Sequence, residues 1–146
     1  MHRSETPEGK YASKHPPGTR VAPEVESALR ENLQDGTISC AAAHRIASRL
    51  DVPPSVVGVG IDLLDAGLVR CQLGLFGYTP RKKAVVPADS VSPELEAQIR
   101  DKLVDGVLPC AEAWSIADGS GIPRMKVAAA CEALSVRVKP CQLGAF

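Results

Sequence analysis

The chain has 146 residues, 45% of them hydrophobic, and its 17 basic side chains are matched by 17 acidic ones. That length and apolar share suffice for a real core, while neutrality removes the basic excess expected of a general nucleic-acid binder. No apolar run approaches the roughly 18 residues of a membrane span, and the N-terminus lacks the continuous apolar segment of a signal peptide, so a cytoplasmic location and no membrane partner are expected.

Residues 1–20, rich in Gly, Pro, Ser and charge, have no apolar period and read as a disordered tail. From Val21 onward the sequence is written twice. Residues 21–76 align without a gap on residues 91–146, and 21 of the 56 pairs are identical. CQLGLF at 71–76 returns as CQLGAF at 141–146, and Cys40 returns as Cys110. Residues 77–90 are then a linker, in which Arg81, Lys82 and Lys83 face only Asp89. The first repeat sums to minus three, with four basic and seven acidic side chains, and the second to minus one, with six and seven. Units of 56 residues lie near the lower limit for folding alone, so mutual packing of the repeats is expected.

Within a repeat, Pro23 at a first helical turn, followed by Glu24 and Glu26 at the positive end of the dipole, starts a helix. Its apolar residues Val25, Leu29 and Leu33 recur at four-residue steps, and Leu95, Ile99 and Leu103 repeat the stripe. Asp35-Gly36 and Asp105-Gly106 are expected to end these helices, with single β-bridges at Ile38 and Leu108 leading into a second helix. That helix, Cys40–Leu50, buries Ala43, Ile46, Ala47 and Leu50 by spacing; DGSG at 118–121 suggests that its copy ends early in a flexible turn. After Asp51-Val-Pro-Pro, a third helix is predicted from about residue 55 to 66, with Gly67 as its cap and residues 68–73 extended.

Helix, short strand, helix, tight turn, helix, strand is the order of a winged helix. The stretch AAAHRIASRLDVPPSVVGVGIDLLDAGLVRC resembles the segment from second helix to wing in that superfamily: small-x-x-IA-x-x-L, a turn, then a helix ending L-x-x-x-G-L-V. The resemblance covers both repeats and implies a mainly α fold of two tandem truncated winged-helix (helix-turn-helix-like) repeats, each of three helices with short β-strands. Truncation is expected because CQLGAF is followed by no returning wing strand, and Pro140 interrupts the strand before it.

Many winged helices read DNA with the third helix. In the first repeat its outward positions are Ser55, Val56, Gly58, Val59, Asp62 and Asp65, which offer phosphates two carboxylates and base edges nothing. In the second, Arg124 and Lys126 open the third helix and Arg137 and Lys139 follow it, a set able to contact a phosphate backbone. For a neutral protein a solvated surface of ordinary charge is the preferred reading of these four. Gly58 and Gly60 inside one helix cost about 1 kcal/mol each relative to alanine. The usual compensation is close approach of another backbone, so Val56, Gly58 and Val59 mark a surface for the other repeat, a second copy or a partner.

Cys40, Cys71, Cys110 and Cys141 occupy repeated places, at the entrance of helix two and at the final strand. If the strand before helix two pairs with the strand after helix three, the thiols of one repeat approach, and two repeats offer four thiolates to zinc or an iron-sulfur cluster. His44, four residues after Cys40, adds a ligand on the same helix face. No Cys-x-x-Cys chelate is present and Trp114 replaces His44 in the second copy, so buried packing is the preferred role for the cysteines. The CQLG segments read first as corners folding Phe76 and Phe146 onto the core, with Gln72 and Gln142 bonding backbone; the alternative is a groove for a ligand or partner. Titratable groups do not converge, and DGSG lacks the lysine of a phosphate-binding loop, so no enzyme is expected. The leading expectation is a non-catalytic accessory or regulatory subunit acting on a protein partner or as a homodimer. A DNA-binding regulator using the second repeat and a metal-binding or redox-sensing protein are the alternatives.

Overall fold

The computed structural model describes residues 11–80 and 82–146. The chain is mainly helical: α1 (Pro23–Asn32), β1 (Thr37–Ser39), α2 (Cys40–Leu50), α3 (Pro54–Leu63) and β2 (Gly67–Val69) are followed by α4 (Pro93–Asp101), β3 (Val107–Leu108), α5 (Cys110–Ser120), α6 (Arg124–Leu134) and β4 (Arg137–Val138). Its contacts divide it into two units. Unit 1 holds the described residues up to Arg70 together with Leu143–Ala145, and unit 2 holds Cys71–Gln142 together with Phe146. The repeat boundary in sequence and the unit boundary in space therefore differ. Each copy of the CQLG segment sends its leucine to the unit that the rest of its repeat does not form.

In unit 1 each of α1, α2 and α3 packs on the other two. Val25 and Leu29 of α1, Ile46 of α2 and Val57 and Ile61 of α3 fill the centre, in keeping with the helical spacing of these residues. Unit 2 repeats the arrangement with α4, α5 and α6 around Ile99, Leu108, Val127 and Cys131. Proline at the first helical turn opens both α1 and α4, and Ser92 caps α4 by accepting the Leu95 amide at 3.1 Å. Ser39 does the same for α2 with the Ala42 amide at 3.1 Å.

β1 pairs with β2, and β3 with β4, each as a parallel two-stranded sheet. The strand before helix two thus joins the strand after helix three, in registers Ile38↔Leu68 and Leu108↔Val138. Among the described residues no third strand extends either sheet.

Four local expectations are corrected. The Asp-Gly pairs do not end α1 and α4, which stop at Asn32 and Asp101. Asp35 and Gly36 (φ 52° and 76°) instead form a two-residue hairpin turn in which Gln34 and Thr37 exchange backbone hydrogen bonds of 2.8 and 2.9 Å. Positive φ at both central positions is the geometry that Asp-Gly favours in hairpins. The copy of helix two does not end early: α5 runs to Ser120, and Gly121, left-handed at φ 69°, caps it at the position where Asp51 caps α2. α3 ends at Leu63, not near residue 66, because Asp65 turns left-handed at φ 54°, as its counterpart Ser135 does at φ 58°; Gly67 already belongs to β2. Residues 68–73 are extended only through Val69, since Arg70 also has positive φ (55°) and a turn follows.

The tail expected up to residue 20 has structure where it is described. Ala12–Lys14 form a 3-10 turn, and its neighbours bond to α3 and the residues after it. Residues 1–10 of that tail, and Arg81 of the linker, lie outside the described residues. The rest of the linker lies on unit 2: the amides of Ala84 and Val85 both donate to the Gly74 carbonyl (2.8 and 3.1 Å), and Val85 is buried.

Candidate functional site

The surface of α3 that the two glycines mark is occupied from within the chain. Gly58 and Gly60 are buried, and a Cβ at Gly58 would overlap the backbone carbonyl of Leu143, a residue of the second repeat that belongs to unit 1. Of the three occupants the glycines leave open, the other repeat supplies this one. A Cβ at Gly60 would meet the Cδ1 methyl of Leu29 at 2.6 Å. Val56 and Val59, on either side, are half-buried.

The carboxylates of this helix end are also engaged. Asp62 Oδ2 lies 2.9 Å from His15 Nε2 and 3.2 Å from Lys14 Nζ, and Asp65 Oδ1 accepts the Tyr11 amide at 3.0 Å. Lys14 Nζ also donates to the Gly144 carbonyl at 3.0 Å. His15, which composition placed in a featureless tail, is therefore a contact of the third helix. Only long-range folding brings it there, and no local pattern marks it.

The CQLG segments form closed loops. Cys71 and Cys141 each donate their amide to the carbonyl of the phenylalanine five residues on, at 3.2 and 2.8 Å, and Gly74 and Gly144 supply the positive φ (77° and 83°). The core plug is the leucine rather than the phenylalanine: Leu73 and Leu143 are buried, whereas Phe76 is half-buried and Phe146 is 40% exposed. Gln142 Nε2 reaches the Cys110 sulfur at 3.5 Å, not the backbone expected for it, and Gln72 is half-buried.

The cysteines divide unequally between the units. Cys40 belongs to unit 1, with His44 one turn further along α2, while Cys71, Cys110 and Cys141 belong to unit 2. Burial pushes the Cys71 and Cys110 thiols above their ordinary value, and the neighbouring Cys141 adds to both shifts; hydrogen bonds to the sulfurs, from Leu75 and Gln142 among others, work in the opposite direction. Cys131, on the buried face of α6, is pushed up to about 11 by desolvation and by Glu132. Such thiols stay protonated at neutral pH, which makes them weak nucleophiles. Among the described residues no group of three or more His, Cys, Asp or Glu side chains is arranged to hold a metal ion.

In the second repeat, Arg124 is turned onto its own unit. Its Nε and Nη2 donate to the two carboxylate oxygens of Asp118 at 3.2 and 3.0 Å, and its guanidinium carbon stands 3.6 Å from the Trp114 ring centroid. The bidentate hydrogen bond holds the Asp118 carboxyl below its ordinary value. Trp114, which replaces His44, therefore serves as the platform for Arg124. Lys126 stays exposed, as do Arg137 and Lys139.

Arg137 and Lys139 border a cleft of about 450 Å³ within unit 2. Its apolar lining includes Leu75, Val136 and the rings of Phe76 and Phe146, whose centroids are 5.9 Å apart at 85°. Lys83 also lines it, paired with Glu132 at 2.9 Å. The sequence marks Lys83 as a linker cation and Phe76 and Phe146 as repeated loop ends, but linker, CQLG loop and strand meet only in the fold.

No known family, characterised protein or solved structure matches this chain. Among the described residues no helix is long and apolar enough to cross a membrane.

Proposed function

We propose that the chain is a pair of winged-helix-like repeats that acts without catalysis, through protein contacts, as a cytoplasmic accessory or regulatory subunit. The observation that carries this reading is that Asp62, Asp65 and Arg124, at or next to the ends of the third helices, are spent inside the fold, while Lys126 stays exposed. Asp62 and Asp65 hold the segment from Tyr11 to His15, Leu143 covers Gly58, and Arg124 is locked between Asp118 and Trp114. A duplex reader needs Arg, Lys, Asn or Gln side chains aimed outward from that helix. Of the four cations singled out for DNA, Arg124 has been withdrawn in this way.

The order of helices and strands in each repeat, with the strand before helix two joined to the strand after helix three, supports the winged-helix part of the proposal. Thiols that burial shifts upward, and so keeps protonated at neutral pH, support the non-catalytic part.

Fluorescence anisotropy of the full chain against pools of labelled duplexes, across a salt series, tests the reading. No sequence-selective binding is expected. Tight, salt-sensitive binding to a particular duplex, abolished by Arg124→Ala with Lys126→Ala, establishes the DNA-binding regulator instead.

A further inference from the structure

We propose that the cleft beside β4 receives an extended segment of a partner protein, with acidic and apolar side chains at alternate positions, as an added strand. This rests on the protein-interaction reading above and names the partner chemistry of one surface.

The first observation is an open strand edge. Among the described residues β4 pairs with β3 alone, and the Lys139 amide donates to the Leu108 carbonyl at 2.9 Å. In a parallel ladder, successive residues direct their backbone groups to opposite sides, so the amide and carbonyl of Val138 turn away from β3. An edge of this kind is a template for another extended chain.

The second observation is chemical. Side chains alternate across β4: Val136 and Val138 are buried, Arg137 and Lys139 exposed. Among the described residues neither Arg137 nor Lys139 is held in an ion pair, and Lys83 is the third cation against the single carboxylate of Glu132. The rim is thus positive and the floor, with Phe76 and Phe146, is apolar. An occupant matching both carries carboxylates on one face of a strand and apolar groups on the other. A nucleic acid satisfies the rim and leaves the apolar floor and the directional strand edge unmatched.

The repeat supplies an internal control. The positions aligned with Arg137 and Lys139 are Gly67 and Val69, so the equivalent strand of the first repeat lacks both cations. The difference lies between two copies of one scaffold, at a solvent-exposed strand where packing does not demand lysine or arginine.

The test uses the isotopically labelled full chain, titrated to millimolar concentration with a blocked nine-residue peptide alternating Glu and Val. Saturable amide shifts at residues 136–139 and Phe146 are expected, together with a loss of affinity of at least about tenfold in Arg137→Glu with Lys139→Glu. Both side chains are exposed, and an unchanged amide spectrum elsewhere verifies that this variant is folded. A Lys-Val peptide is expected to leave the shifts unchanged. The proposal is overturned if the Glu-Val peptide does not bind, if an oligoglutamate binds equally well, if N-methylation of alternate backbone amides costs nothing, or if charge reversal has no effect. Failure of the peptide with no duplex binding removes the cleft assignment alone. A duplex that occupies these residues more tightly than the peptide removes the protein-interaction reading as well.

Discussion

Gly58 is the residue at which sequence cost and structural cause meet. Alanine there gains about 1 kcal/mol of helix propensity yet drives a methyl group into the Leu143 carbonyl, which is backbone and has little freedom to yield. Gly58→Ala is expected to destabilise by about 2 kcal/mol net, or to expel the last residues of the chain. Gly60→Ala meets side chains rather than backbone, Leu29 Cδ1 at 2.6 Å with Val25 and Val21 at 3.4 and 3.6 Å, and its cost stays about 1 kcal/mol below that of Gly58→Ala. Urea denaturation of the two variants checks the order; equal costs contradict the close approach. Cys131 supplies a pH signature. Burial pushes its thiol from an ordinary value of 9.0 up to about 11 in the fold, so above pH 9 the unfolded chain releases the proton first. The contribution is complete below pH 9 and is lost as pH rises to 11, with Cys71 and Cys110 shifted in the same direction. Melting temperatures are expected to fall across that window, and less steeply in Cys131→Ala.

Among the elements, helix starts were legible and several helix ends were not. Proline at a first turn and carboxylates behind it act locally, so α1 begins where Pro23 and Glu24 indicate. Ends depend on backbone choices that side chains encode weakly: Asp65, Ser135 and Arg70 adopt positive φ without being glycine, and this shortens α3 and stops the extended run after β2. The same weakness concealed the segment before Val21, whose composition is that of a solvated tail. Its structure comes from partners, since Tyr11, Lys14 and His15 reach Asp62 and Asp65 across more than forty residues. Asp62→Ala with Asp65→Ala is therefore expected to release residues 11–20 while leaving α3 in place. Limited trypsin digestion reads this at Lys14 and Arg20, with cleavage several-fold faster than in the parent; an unchanged rate shows that the carboxylates do not anchor the segment.

In the molecule as a whole, duplication was plain from the identical pairs, whereas the traffic between the copies was invisible to periodicity. A CQLG loop reads the same whichever unit its leucine enters. Only the three-dimensional path assigns Leu73 to unit 2 and Leu143 to unit 1, dividing a cysteine set that the sequence presented as symmetric. Each unit then includes residues from the other copy, Leu143–Ala145 in unit 1 and the first CQLG segment in unit 2, with one buried leucine in each, and this gives crossed predictions. Leu73→Ala and Leu143→Ala each remove a buried leucine, at a cost of about 3 kcal/mol. Hydrogen exchange should accelerate mainly in α4, α5 and α6 for Leu73→Ala, although residue 73 aligns with the first repeat. For Leu143→Ala it should accelerate mainly in α1, α2 and α3, although residue 143 belongs to the second. If each substitution loosens its own repeat instead, the leucines are not exchanged; if both loosen all six helices equally, the two units unfold as one cooperative body.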